Sequence, residues 1–154
     1  MIYREEVRDL FSVPNDYYLA HCISDDYALG AGIAKEFNKK FEMRYKLLAT
    51  KKYNPIFSNT NGHCIIVDKI INLVTKEKYW HKPTYKTLTN ALVDMKEKCL
   101  EDDNINGIGE VGQIKKIAMP LIGCGLDRLQ WNKVSEIIKD VFKDTEIEIL
   151  VCKQ

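Results

Sequence analysis

Pro120-Leu121-Ile122-Gly123-Cys124-Gly125-Leu126-Asp127-Arg128-Leu129-Gln130-Trp131 sets a glycine-rich turn and a carboxylate between an apparent strand and an apparent helix. Before it, Ile117-Ala118-Met119 reads as a short buried strand; after it, Val134, Ile137, Ile138, Val141 and Phe142 recur at helical spacing. The loop therefore lies at the carboxyl end of a strand, where an α/β sheet takes its ligands. The glycines beside Cys124 permit positive φ angles and close backbone approach, so successive N–H groups can converge on an anion. Asp127 then faces whatever that anion carries.

A loop of the same type lies upstream. Tyr18-Leu19-Ala20-His21-Cys22-Ile23 reads as a strand, and Gly30-Ala31-Gly32 opens a helix. Ile33, Phe37, Phe41, Tyr45 and Leu48 step by three or four residues, which predicts one amphipathic helix running to about Thr50. Small residues at 30 to 32 leave the first helical N–H groups uncovered, and the helix dipole adds partial positive charge there. A single glycine at a helix start is commonly a plain turn. Two such loops, each after a strand, form a cradle suited to a diphosphate.

Between and beyond these loops, Asn54-Pro55 and Ser58-Asn59-Thr60-Asn61-Gly62 mark a loop. Cys64–Val67 and Ile70–Val74 around Asp68-Lys69 form a hairpin. Thr84 is the N-cap of a helix with the apolar stripe Leu88, Leu92, Met95 and Cys99. A polar, glycine-containing loop from Glu101 to Gln113 is the expected mobile segment. Ile147, Ile149 and Val151 alternate with other residues as a half-buried final strand. The order βα, hairpin, α, βα, β predicts a mixed sheet with helices on both faces.

With 154 residues, 45% of them hydrophobic and 29% charged, the chain fits one globular domain with a real core. A net charge of +1 does not imply nucleic-acid binding driven by overall charge. Lys35, Lys39, Lys40, Arg44, Lys46, Lys51 and Lys52 on the first long helix make a local exception, read here as a solvated face. The five cysteines are scattered and lack CxxC spacing, which excludes a disulfide framework and a zinc site and points to a reducing compartment. Cys124 has no histidine base supplied by spacing or motif, so it is not read as a nucleophile. Neither a signal core at the N-terminus nor an apolar window of roughly 18 to 20 residues is found, so a cytosolic chain, or a nuclear one in a eukaryote, is expected.

Thr75-Lys76 follows the strand ending at Val74, which places Lys76 at a sheet end as well. An uncharged lysine amine attacks an electrophilic sugar carbon well, if desolvation or cations such as Lys78 and Lys82 lower its pKa. Asp127 then serves as general acid and base, or holds an ammonium in place. Most single lysines are merely solvated, and Trp80 and His81 are read as loop side chains that pack.

Ala20-His21-Cys22-Ile23-Ser24, Gly30-Ala31-Gly32-Ile33-Ala34, Thr75-Lys76, His81-Lys82-Pro83-Thr84-Tyr85 and Ile122 through Trp131 occur in this order in one known family. The chain resembles macrodomains of the terminal ADP-ribose protein glycohydrolase type over nearly its whole length. The resemblance implies a single macrodomain over residues 1–154, a three-layer α/β/α sandwich with a mixed central sheet. It implies a hydrolase that removes mono-ADP-ribose from acidic side chains, with O-acyl-ADP-ribose deacylation in the same pocket. By resemblance, Gly30, Ala31, Gly32, Ile33 and Ala34 contact the diphosphate and distal ribose. Leu121, Ile122, Gly123, Cys124, Gly125 and Leu126 wrap the diphosphate from the other side. Asp9, followed by Leu10, matches the adenine-binding aspartate, and Ser24 lies near the distal ribose. Lys76 matches the lysine that forms a lysyl-ADP-ribose intermediate, and Asp127 the acid that resolves it.

The implied partners are ADP-ribose and ADP-ribosylated protein, with no cofactor, metal or membrane, on a monomer. Three other readings use the same crevice: an ADP-ribose reader without turnover, an antitoxin that removes ADP-ribose from DNA, and an ADP-ribose 1″-phosphate phosphatase. The antitoxin reading is favoured if the lysine-rich helix flanks the pocket mouth. Arg8 stands where a glycine commonly precedes the adenine aspartate. Cys152 stands where an aromatic often stacks on adenine, an interaction worth roughly 1–3 kcal/mol per base. The asparagine that other macrodomain hydrolases place before the glycine loop is absent, which favours the lysine route.

Overall fold

A computed structural model describes residues 1–53, 61–101 and 114–154. Its strands are β1 (Ile2–Val7), β2 (Tyr18–Ser24), β3 (His63–Val67), β4 (Ile70–Lys76), β5 (Lys116–Met119) and β6 (Glu148–Lys153). Its helices are α1 (Gly32–Phe41), α2 (Met43–Tyr53), α3 (Tyr85–Leu100) and α4 (Trp131–Phe142), with a short 3-10 turn at Leu10–Ser12. The six strands form one mixed sheet in the order β1-β6-β5-β2-β4-β3. All neighbours are parallel except β3, which returns on β4 as the predicted hairpin.

Helices cover both faces, so alternate residues of one strand enter two different cores. Ile71 and Leu73 of β4 pack under α3 and α4, whereas Ile70 and Val74 pack under α1 and α2. β6 divides in the same way, Ile149 and Val151 on one face and Leu150 and Cys152 on the other. The final strand is thus buried on both faces and not half-buried as its alternation suggested. The sheet continues past β6 into β1, whose mostly charged and polar residues pair in register from Ile2↔Glu148 to Val7↔Lys153. A polar edge strand leaves little periodic signal, and β1 went unread in the sequence.

The helix predicted to run unbroken to about Thr50 is two helices. Glu42 sits between them in the left-handed region at φ 53° and closes α1 by donating its N–H to the Asn38 carbonyl. The break re-phases the apolar stripe: Met43 and Leu47 are fully buried, while Tyr45 and Leu48 are exposed. The reading of α3 needs no such change. Leu88, Leu92, Met95 and Cys99 are all buried, and Thr84 caps the helix reciprocally with Thr87. Of the loops expected at 54–62 and 101–113, residues 54–60 and 102–113 lie outside the described residues.

Sheet order fixes where a ligand sits. From β5 the chain proceeds through α4 to β6 on one side, and from β2 it proceeds to β4 on the other. The adjacent β2 and β5 are therefore the switch point at which loops diverge and leave a crevice. Both glycine loops leave that point.

Candidate active site

A cavity of about 990 Å³ opens at the carboxyl ends of β2, β4, β5 and β6. Leu10, Ser24, Gly30, Ala31, Gly32, Ile33 and Ala34 line it from one side, and Leu121, Ile122, Gly123, Cys124, Gly125 and Leu126 from the other. Lys76 and Asp127 both line it. Asp9 is the predicted residue left outside. It is exposed, and its Oδ1 accepts from the Phe11 N–H at 3.0 Å as the cap of the 3-10 turn.

The loop after β5 is built from its own backbone. Gly123 has φ +73°, as its position in the turn anticipated, whereas Gly125 does not adopt a positive φ. A Cβ on Gly123 would stand 3.1 Å from Leu129 Cδ1. Leu129 N–H donates to Gly123 O at 2.8 Å, and Arg128, itself at φ 64°, donates to Gly125 O at 3.2 Å. Tyr85 Oη accepts from Gln130 N–H at 3.0 Å, and Trp131 Nε1 donates to Glu5 at 3.1 Å, so α3 and β1 anchor the loop's far end. Gly32, at φ +60°, starts α1 behind Ala31, and the helix's first N–H groups face the cavity from the β2 side.

Lys76 Nζ donates to Asp127 Oδ1 at 2.7 Å, with both side chains 15% exposed. Residues 51 positions apart are joined because β4 and the β5 loop end at the same edge of the crevice. Of the two cations expected near it, Lys82 donates from Nζ to Leu126 O at 2.7 Å, and the group bonded to Lys76 Nζ is a carboxylate. A bulge between Ile23 and Ser24 shifts the β2 register so that Ser24 falls opposite Lys76. Ser24 Oγ donates to Asp26.

Asp26 is a residue the sequence reading missed. Its carboxylate also accepts from Ala28 N–H at 3.2 Å and from Tyr79 N–H at 3.0 Å. Burial opposes its charge, but these hydrogen bonds outweigh it and hold the carboxyl below the usual range. One anion thus staples the loop after β2 to the segment after β4. The local signal was an Asx turn, Asp26 to Ala28. Cys22, Tyr79 and Gln154 also line the cavity without having been singled out, and Lys82 and Cys152 line it as well.

Burial disfavours the thiolate form of the cysteines here. Burial pushes Cys22 up to about 12, helped by the charge of Asp127, and pushes Cys124 up to about 11. Cys124 Sγ is 3.3 Å from Ile122 O, consistent with the exclusion of a cysteine nucleophile. Arg8 turns back onto Glu6 at 3.2 Å and Ser12 O at 3.0 Å, which engages its guanidinium around the 3-10 turn.

Beneath α1, the buried His21 stacks on Phe37 at 3.8 Å and its Nε2 lies 2.7 Å from Asn72 Oδ1. Burial lowers the imidazole pKa to about 4, against a partial opposing effect of the Asn72 hydrogen bond. Three lysines of α1 and α2 make local contacts. Lys46 pairs with Asp68 at 2.9 Å, Lys51 donates to Asp25 O at 2.7 Å, and Lys40 lies 5.0 Å from the Phe11 ring. Among the described residues no group of His, Cys, Asp and Glu side chains is arranged to hold a metal, and no helix is long and apolar enough to cross a membrane.

No family model matches the chain. The ADP-ribose glycohydrolase OARD1 of Homo sapiens is 42% identical to it over 147 residues, 93% of this chain and 86% of that protein. Among solved structures, the macrodomain of Thermus aquaticus DarG matches with a TM-score of 0.73 at 18% identity over 99% of both chains. The macrodomain of Mycobacterium tuberculosis DarG matches with a TM-score of 0.75 at 17% identity, covering 98% of this chain and 97% of that one. At those identities the structural likeness is one of fold.

Proposed function

Because the chain belongs to the ADP-ribose glycohydrolase family of macrodomains, we propose that its cavity holds ADP-ribose across the two glycine loops and hydrolyses the bond at the distal ribose through Lys76 and Asp127. The chain is a hydrolase of that family. The observation that carries the assignment of residues is the 2.7 Å contact between Lys76 Nζ and Asp127 Oδ1 at one end of the cavity.

A charged ammonium cannot attack carbon. In the proposed sequence Asp127 takes a proton from Lys76 Nζ, and the freed amine attacks the anomeric carbon. The carbon–nitrogen bond forms as the ester carbon–oxygen bond breaks, and its electron pair leaves with the carboxylate of the modified side chain. Asp127 gives its proton to solvent and then removes one from a water that attacks the same carbon. The carbon–nitrogen bond breaks with its pair returning to nitrogen, and Asp127 returns the proton to Lys76. The products are free ADP-ribose, a carboxylate and one proton, and the ion pair is restored. The same steps release an acyl group from ADP-ribose acylated on the anomeric oxygen.

The backbone N–H groups around Gly123 and at the start of α1 would hold the diphosphate, and Ser24 would border the distal ribose. Adenine would lie toward Leu10 and Cys152. A reader module has no need of a lysine ion-paired inside the pocket, so the hydrolase is preferred. The antitoxin reading is favoured if the lysine-rich helix flanks the mouth, and α1 and α2 contribute only Gly32, Ile33 and Ala34 to the cavity lining.

The test is release of ADP-ribose from a glutamate-linked mono-ADP-ribosylated protein by wild type and Lys76→Ala, with ADP-ribose titration as the folding control. Release by wild type alone supports the assignment. Equal release by both proteins overturns it.

A further inference from the structure

Among the exposed large apolar side chains of the described surface, three stand at the cavity end that holds Lys76 and Asp127. Tyr79 and Trp80 are each 62% exposed and Leu126 is 64% exposed, all on the segments that carry Lys76 and Asp127. Tyr79 and Leu126 line the cavity, and Trp80 meets Tyr79 edge to face with ring centroids 4.9 Å apart. The arrangement is held by the protein itself. Tyr79 N–H is bound by Asp26 at 3.0 Å. Lys78 N–H donates to His81 Nδ1 at 3.2 Å, and His81 N–H to Lys78 O at 3.0 Å. Lys82 ties the segment to Leu126 O. A ledge fixed in advance loses little freedom when something settles on it.

We infer that Tyr79, Trp80 and Leu126 form the subsite for the leaving-group side of the scissile bond, and that its occupant is a polypeptide with an aromatic or large apolar side chain next to the modified carboxylate. The inference rests on the hydrolase reading above, because only then does a leaving group project from the cavity at this end. Charge selects the class of partner. On the segments that form this rim, Lys76, Lys78, Lys82 and Arg128 stand with Asp26, Glu77 and Asp127, an excess of one positive charge, and Lys76 is itself paired with Asp127. A single-stranded nucleic acid needs a positive groove along its backbone in addition to stacking rings. Rings on a rim with one net charge suit an uncharged apolar side chain, which buries surface and stacks without a polyanion to neutralise.

The experiment compares two glutamate-linked mono-ADP-ribosyl peptides, with phenylalanine or glycine beside the modified residue, and O-acetyl-ADP-ribose as a substrate too small to reach the ledge. Wild type should show kcat/KM about tenfold higher for the phenylalanine peptide, the gain lying in KM. Trp80→Ala should remove that advantage and leave acetyl-ester turnover unchanged, and Trp80→Phe should restore most of it. Equal rates on the two peptides, or an advantage that survives in Trp80→Ala, would overturn the subsite while leaving the hydrolase intact. Preference for an ADP-ribosylated single-stranded oligonucleotide that is lost in Trp80→Ala would overturn the polypeptide assignment. Turnover of none of these substrates would overturn the hydrolase reading and this one with it.

Discussion

The two ends of the cavity are built from different materials. At one end, below β4, two ionised side chains face each other at 2.7 Å beneath a rim of exposed rings. At the other, beside β6, the lining is Leu10, Cys152 and Gln154. Three strand spacings separate β4 from β6, roughly 14 Å at about 4.8 Å each, close to the reach of a dinucleotide-like ligand. On the proposed assignment, chemistry and affinity are placed apart in this fold. The end with Lys76 and Asp127 is built from side chains brought together by the sheet, the middle from backbone, and among the described residues the far end presents no aromatic lining.

Removing one end's chemistry is the largest way to break this comparison. Lys76→Ala should reduce turnover by at least roughly a thousandfold. ADP-ribose affinity, measured by calorimetry, should stay within about threefold. A variant that also lost binding would show that the two ends are not separable.

Acid should disturb both ends together, because His21 lies under α1, whose start forms the wall between them. Its ring takes a proton near 6.5 when unfolded but only near about 4 when folded. Its contribution to stability is therefore full above pH 6.5 and is lost as pH falls through about 4, a change of about 3 kcal/mol. Denaturant unfolding across that range measures it. The slope should be shallower in His21→Gln, and an unchanged slope would assign acid sensitivity to other groups.

Gly123→Val attacks the backbone between the ends. A β-branched residue at φ +73°, with its Cβ 3.1 Å from Leu129, must move the loop, and strain of roughly 1–3 kcal/mol corresponds to binding weakened about ten- to a hundredfold. Titration with ADP-ribose reads the loss, and wild-type affinity would remove the loop from the site. The smallest effect sharpens the contrast from the far end. Cys152→Phe should tighten ADP-ribose binding about tenfold by offering a ring to adenine, with kcat little changed. Unchanged affinity would mean that adenine does not lie beside β6.

These regions were unequally legible in the sequence. The stripe on α3 and its Thr84 cap follow from spacing alone, since nothing interrupts them. Lys76 and Asp127 were marked by their places after strands, but only the sheet order brings them into contact. The break at Glu42 was hidden because a glutamate, and not a glycine, takes the left-handed conformation that ends α1. β1 was hidden because charged and polar residues at a sheet edge look like loop. Asp26 was hidden for another reason: its role joins two loops that are distant in sequence. Asp9, matched by resemblance, has a carboxylate that caps a turn and is not among the residues that line the cavity.

The most direct measurement of the lysine route is intact-protein mass spectrometry of Asp127→Ala after exposure to a glutamate-linked ADP-ribosyl peptide, with peptide mapping of any adduct. One ADP-ribosyl group should accumulate on Lys76, and none should form in the Asp127→Ala, Lys76→Ala double variant. Release of free ADP-ribose by Asp127→Ala at the wild-type rate, with no adduct on Lys76 at any time, would contradict the account.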